Sequence, residues 1–110
     1  MKIALASSNN KDVDLHFGKA YRFLIYEFDG DKTNFIETRE VSIDPNQQHQ
    51  WQKSLAAIKD CDVVICVQVG MNGKFGIEKA GLKLVEDRGS VENVLKRYVK
   101  HYKFMKKPLF

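Results

Sequence analysis

Apolar and polar positions along this chain fall into eight segments with two periods. Residues 2–7, KIALAS, alternate as a strand does, with side chains thrown to opposite faces. Residues 21–28, YRFLIYEF, carry aromatic and β-branched side chains at both parities, the pattern of a strand inside a sheet. Residues 34–43, NFIETREVSI, mix apolar and charged side chains, as an edge strand does. Residues 62–69, DVVICVQV, form an almost unbroken apolar run and predict a buried central strand, and LKLVE at 82–86 predicts a last one. Trp51, Leu55 and Ile58 recur at helical spacing within 47–59. Residues 72–80 predict a short helix weakened by Gly73 and Gly76. From residue 90, Val91, Val94, Leu95, Tyr98 and Tyr102 mark one face of a longer helix.

The punctuation agrees with these segments. DGDK at 29–32 is a hairpin turn signal. Gly81 suits a helix stop, and Ser90 suits an N-cap with Glu92 in the first turn. The element order is β–β–β–α–β–α–β–α. A hairpin-linked start followed by βαβ units predicts a mixed five-stranded α/β sheet flanked by three helices. The expected strand order is 3-2-1-4-5, with strand 2 antiparallel to the rest. A length of 110 residues favours one domain, expected over 1–103, with 104–110 a loosely held basic tail.

Composition narrows the class. Hydrophobic residues are 44% and charged residues 29%, as in an ordinary globular protein, and no apolar run approaches the roughly 20 residues of a membrane span. The opening MKIALASSNN alternates and soon turns polar, so it reads as a strand and not a signal peptide, and a cytoplasmic location is expected. Net charge is +4, concentrated in KRYVKHYKFMKK. That stretch is either a solvated helix face or, with Tyr98, Tyr102 and Phe104 interleaved, a docking surface for a partner or nucleic acid. Cys61 and Cys66 on one strand would lie about 16 Å apart on opposite faces, too far for a disulfide. Cys66 reads as an inert core thiol, and Cys61, where helix gives way to strand, as the more accessible.

Ligands in α/β sheets gather beyond the carboxyl ends of parallel strands. Two loops leave such ends: 8–20, which contains DVDLHFGKA, and 70–74 within GMNGKFG. Neighbouring parallel strands would put His16 opposite GMNGK. A loop histidine is either a solvated surface residue or an exposed nitrogen ligand, and the pattern leaves both open. Phe17 is expected to anchor the loop by burying its ring, and Gly18 to ease the turn. Lys11, Lys19, Arg22 and Lys74 lie near the same rim and suit an anion. His49 reads as solvent-exposed. GMNGKFG follows a strand and enters a helix, yet it is neither G-x-G-x-x-G nor a Walker loop. It serves as a backbone anion nest or as a close helix packing site. H-E-x-x-H, G-x-S-x-G and C-x-x-C are absent. The first strand offers no carboxylate for two-metal phosphoryl chemistry, which counts against a nuclease.

MKIALASSNNKDVDLHFGKAYRFLIYEF, with its D-x-HFG-like motif, resembles the start of the dinitrogenase iron–molybdenum cofactor biosynthesis family, in its NifX-type and NifB C-terminal-type domains. LAAIKDCDVVICVQVG, AGLKLVED and SVENVLKRYV extend the resemblance over roughly residues 1–100. It implies a ribonuclease H-like α/β fold. It implies binding or carrying of an iron–molybdenum cofactor or iron–sulfur precursor cluster, without catalysis. The implied partners are nitrogenase or cofactor-assembly proteins, not nucleic acid or membrane. It also implies that His16 is a metal-cluster ligand, with Cys61 and Cys66 as further candidate ligands. Lys19, Arg22 and Lys74 are expected to compensate cluster charge. Gly73, Gly76, Lys74 and Phe75 depart from the family pattern.

Overall fold

The computed structural model describes residues 1–106. Its main sheet has five strands: β1 (Lys2–Ala6), β3 (Arg22–Phe28), β4 (Thr33–Glu40), β5 (Val63–Cys66) and β6 (Lys83–Glu86). Their order is β4-β3-β1-β5-β6, the expected one. β3 is antiparallel to both its neighbours, while β1, β5 and β6 run parallel. A second, two-stranded sheet pairs β2 (Asp12–Val13) with β7 (Gly89–Ser90). It falls where an irregular loop was expected, because two residues of strand are too short to leave a periodic signature.

Strand alternation divides the core into two layers. Ala4, Ala6, Phe23, Ile25, Val64 and Cys66 face one side. That side is covered by α1 (Trp51–Ala57) and α2 (Met71–Lys79). Ile3, Leu5, Leu24, Phe28, Val63 and Ile65 face the other, under α3 (Val91–Lys106). The caps match the sequence. Gly81 has φ +87°, and the amide of Leu82 bonds back to the carbonyl of Ile77 at 3.1 Å. Ser90 Oγ accepts from the amide of Asn93 at 3.1 Å. On the edge, Arg39 of β4 holds Asp60 beyond α1 at 2.6 and 2.9 Å and donates to the carbonyl of Ala57. The guanidinium keeps the Asp60 carboxyl well below the usual carboxylate range.

Two boundaries differ from expectation, each for a tertiary reason. α1 begins at Trp51, not 47, because the preceding turn is stapled by a buried glutamine. Gln50 Nε2 donates to the carbonyls of Asp44 and Gln47, and Gln50 Oε1 accepts from the amide of Asp44. β5 stops at Cys66, not 69, because Val67 and Gln68 bond to residues 15 and 17 instead of to a sheet strand. α3 runs through Lys106, with Phe104 and Met105 exposed. The remainder of the expected basic tail, 107–110, lies outside the described residues.

Both cysteines are buried in the same layer, at 5% and 0% exposure. Cys61 is the less deeply buried of the two, as expected, but it does not lie on the opposite face. Cys61 precedes the strand, so strand parity does not reach it. Burial pushes the Cys61 thiol up to about 11 and the Cys66 thiol up to about 12. Neutral thiols in apolar surroundings react slowly. Native protein at pH 8 is expected to resist thiol reagents at both positions, with Cys61 the faster of two slow sites. Labelling of either cysteine at the rate seen in denaturant would contradict this packing.

The two glycines of α2 are packing sites. A Cβ at Gly76 would stand 2.3 Å from Cζ3 of Trp51, and one at Gly73 would stand 2.8 Å from Cγ2 of Val69. Helix propensity alone favours Gly76→Ala by about 1 kcal/mol. Overpacking against the indole costs about 1–3 kcal/mol. Gly76→Ala is therefore expected to lower stability in urea denaturation and to shift the emission of Trp51, the only tryptophan. A gain in stability would mean that the ring does not depend on the notch.

Candidate functional site

Parallel pairing of β1 and β5 aligns Ile3 with Val63 and Leu5 with Ile65. Their carboxyl ends, Ala6 and Cys66, therefore open onto one rim. The loop after β1 is rigid because its polar side chains bond within it. Asn9 Oδ1 accepts from the amides of Lys11 and Asp12, and Ser7 Oγ from that of Asn10. Asp14 binds both the amide and the hydroxyl of Ser8. The polar approach to the histidine is thus structural.

The next residues are stitched to the chain leaving β5. The carbonyl of Leu15 accepts from the amide of Val67 at 3.0 Å, and the amide of Phe17 donates to the carbonyl of Gln68 at 2.9 Å. His16 sits between these two bonds with an extended backbone (φ −72°, ψ 146°) and an exposed side chain. Phe17 is fully buried, its ring 6.2 Å from that of Phe23. Residues 17–19 then form a single 3-10 turn. Phe17 therefore anchors the loop as the sequence suggested. Gly18 does not act as expected: its φ is not in the left-handed region, and a Cβ there would meet nothing within 4 Å. The turn is 3-10 and open to any small residue.

A cavity of about 410 Å³ lies beside this turn. Gly18 and Lys19 form one wall, residues 47–51 another, and Val69–Gly73 at the start of α2 the third. Gly70 caps α2 without a side-chain hydrogen bond. The amides of that first turn and the positive end of the helix dipole border the cavity, an arrangement that favours an anion. Lys19 adds a formal charge. His49 lines the same cavity and holds a left-handed backbone, φ +63°. The sequence signalled its exposure but not its place here, which depends on the Gln50 staple.

The other candidate residues are distributed differently. Lys74 is exposed one turn further along α2 and does not line the cavity. Arg22 is committed to the fold: it pairs with Glu40 at 2.8 Å and donates to the carbonyl of Ser8 at 2.8 Å. Lys11 lines a separate groove against α3. Cys61 and Cys66 are enclosed in the core, away from solvent, so neither reaches an exposed ligand without local opening. Among the described residues no three His, Cys, Asp or Glu side chains are grouped to hold a metal ion. None of the described helices is long and apolar enough to cross a membrane.

The same architecture occurs in solved structures. PH0822 superposes with a TM-score of 0.76 at 20% identity, covering 92% of this chain and 91% of that one. The mj0327 protein of Methanocaldococcus jannaschii gives 0.65 at 17% identity, covering 93% and 90%. These likenesses establish the fold. Among curated sequences, Protein NifX of Klebsiella pneumoniae is 32% identical over 71 residues, 64% of this chain and 46% of NifX. FeMo cofactor biosynthesis protein NifB of Frankia alni is 28% identical over 91 residues, 76% of this chain and 18% of NifB. The match thus spans less than half the length of either curated relative. The sequence family described as "Dinitrogenase iron-molybdenum cofactor" matches residues 1–101. With that match over nearly the whole chain, and with NifX and NifB among its relatives, the protein belongs to the dinitrogenase iron–molybdenum cofactor family.

Proposed function

We propose that this protein binds and carries an anionic metal–sulfur cluster, the iron–molybdenum cofactor or an iron–sulfur precursor of it, without itself catalysing a reaction. The observation that carries this reading is the rim cavity, where the uncapped start of α2 and Lys19 meet the turn that follows His16. Names of relatives tie NifB to cofactor biosynthesis, which supports the choice of cargo. Imidazole suits iron and molybdenum sites, and the exposed His16 is held on a fixed backbone. Helix amides and Lys19 supply charge compensation, and Lys74 adds a longer-range contribution. A carrier must release its cargo. One or two protein ligands on an open rim suit release better than a closed four-ligand site. Cys61 and Cys66 have no part in this reading because both are buried. The ribonuclease H-like class belongs to the same proposal and is supported by the strand order. Nitrogenase or cofactor-assembly proteins are the corresponding delivery partners, and a cytoplasmic setting suits an oxygen-sensitive cargo.

The alternative of a cofactor-free docking domain rested on the basic stretch KRYVKHYKFMKK with Tyr98, Tyr102 and Phe104 interleaved. Tyr98 is buried, and Tyr102 packs edge-on against Phe28 with ring centroids 4.9 Å apart. Only Phe104 of the three is exposed, so the aromatic face is largely core.

Anaerobic titration with isolated iron–molybdenum cofactor, followed by absorbance, tests the cargo reading. His16→Ala is expected to keep the parent melting temperature and lose about tenfold or more in affinity. Lys19→Gln is expected to weaken binding less and to reduce its salt dependence. Phe17→Ala, which empties a fully buried site, is expected to cost about 3–5 kcal/mol of stability as well as affinity. Uptake by His16→Ala as tight as by the parent protein would overturn the ligand assignment.

A further inference from the structure

A concavity wider than the rim cavity lies on the opposite face of the sheet, between α3 and the β3–β4 hairpin, with a volume of about 1110 Å³. It arises because one helix must cover five strands on this face. α3 packs over β1 and β5 through Val91, Val94, Leu95 and Tyr98, and over the end of β3 where Phe28 meets Tyr98 and Tyr102. Tyr26 of β3 and the whole of β4 are left beside it. Tyr26 is half-buried and stacks edge-on with Phe35 at 5.5 Å, and Phe35 is 55% exposed.

The floor of the groove is apolar and its walls are basic. Tyr26, Val91, Leu95, Val99 and Phe104 supply the floor. Lys96, Lys100 and Lys103 stand on the α3 wall, and Lys11 and Lys32 on the other walls. The two carboxylates present are already paired, Glu92 with Lys96 at 3.1 Å and Asp31 with Lys103 at 2.8 Å. Among the described residues, Lys11, Lys32 and Lys100 have no ion-pair partner. From Val91 to Phe104 the groove runs along about 20 Å of helix. That length is far too great for a small ion. It matches a peptide segment of three to four helical turns.

We propose that this groove docks an acidic amphipathic helix of a partner protein. The partner's apolar stripe would lie on Leu95, Val99 and Phe104, and its flanking carboxylates would meet Lys11, Lys32 and Lys100. Such a helix satisfies both features of the groove at once, burying apolar surface while pairing exposed lysines on both sides. Nucleic acid fits less well. The floor is mostly aliphatic along α3, and the groove has no arginine for stacking or forked phosphate contacts. The groove and the rim cavity lie on different faces, so docking and cargo binding do not compete. This inference does not depend on the cargo reading.

The test uses fluorescence anisotropy on the full chain with fluorescein-labelled peptides of about 16 residues. The panel has leucine at i, i+4 and i+8 or at i, i+3 and i+7, with glutamate at flanking positions. Matched scrambles keep the charge and lose the stripe. At least one striped peptide is expected to bind, and its scramble to bind about tenfold more weakly. Lys32→Glu/Lys100→Glu is expected to reduce affinity about tenfold or more and to flatten the salt dependence. Phe104→Ser, at an exposed site, is expected to weaken binding without changing the melting temperature. The control Lys59→Glu/Lys79→Glu, on exposed positions of the other face, is expected to bind as the parent does. Failure of every striped peptide would overturn the proposal. So would equal binding of the scrambles, equal weakening by the control, or tighter binding of a 12-nucleotide single strand. Self-association of the chain that occupies the groove in place of peptide would also overturn it.

Discussion

The parallel pairing of β1 with β5 is the constraint from which the rest of the structure follows. Both strands are buried on both faces, so neither has a polar face to turn toward water. A parallel pair needs a crossover, and the crossover carries helices onto the sheet. It also brings two carboxyl ends to one rim. The loop after β1 and the loop after β5 are then neighbours, although more than forty residues separate them in sequence. The rim is thus a property of topology before it is a property of any side chain.

On that rim, rigidity comes from spending polar groups locally. Ser7, Asn9 and Asp14 satisfy backbone amides within their own loop. Leu15 and Phe17 bond to the segment leaving β5, and the ring of Phe17 fills the core below. A buried aromatic side chain contributes roughly 1.5–3 kcal/mol, which adds to the loop's hydrogen bonds in offsetting an ordering cost of about 1–2 kcal/mol per residue. The close approach of α2 depends on missing side chains as much as on present ones. Gly73 and Gly76 leave room for Phe17, Val69 and Trp51. The start of α2 therefore comes down beside the HFG turn and bounds the cavity. Both glycines are accounted for by this packing.

The opposite face has a different economy. One amphipathic helix, α3, covers the centre of the sheet and stops short of β4. β4 carries a bulge, since Ile25 pairs with Glu37 while the next residue, Tyr26, pairs with Phe35. A bulged, charged edge resists strand addition, which leaves the groove beside it, and not the strand edge, as the accessible feature. The loop of residues 8–20 touches both regions. Its Lys11 lines the groove and its Gly18 and Lys19 line the cavity. The pairing of β2 with β7 fixes that loop between them.

Period and punctuation in the sequence determined the α/β class, the strand order, the burial of Phe17, the end of α2 and the start of α3. These are set by short-range chemistry: alternation, helical spacing, a capping serine and a glycine at φ +87°. The residues HFG marked the loop and carried part of the resemblance to the family. What the sequence left open involves contacts between segments distant in the chain. Whether Arg22 was a free charge or a structural one depended on Glu40 and Ser8. Whether Cys61 was exposed depended on the helix packed over it, because parity stops where the strand stops. His49 entered the cavity through a turn locked by the side chain of Gln50, and a run of similar glutamines gives no sign of which one is buried. Spacing and hydrophobic pattern record what each residue prefers locally. Only the tertiary structure decides which distant group satisfies it, because that choice minimises unpaired polar atoms over the whole core at once.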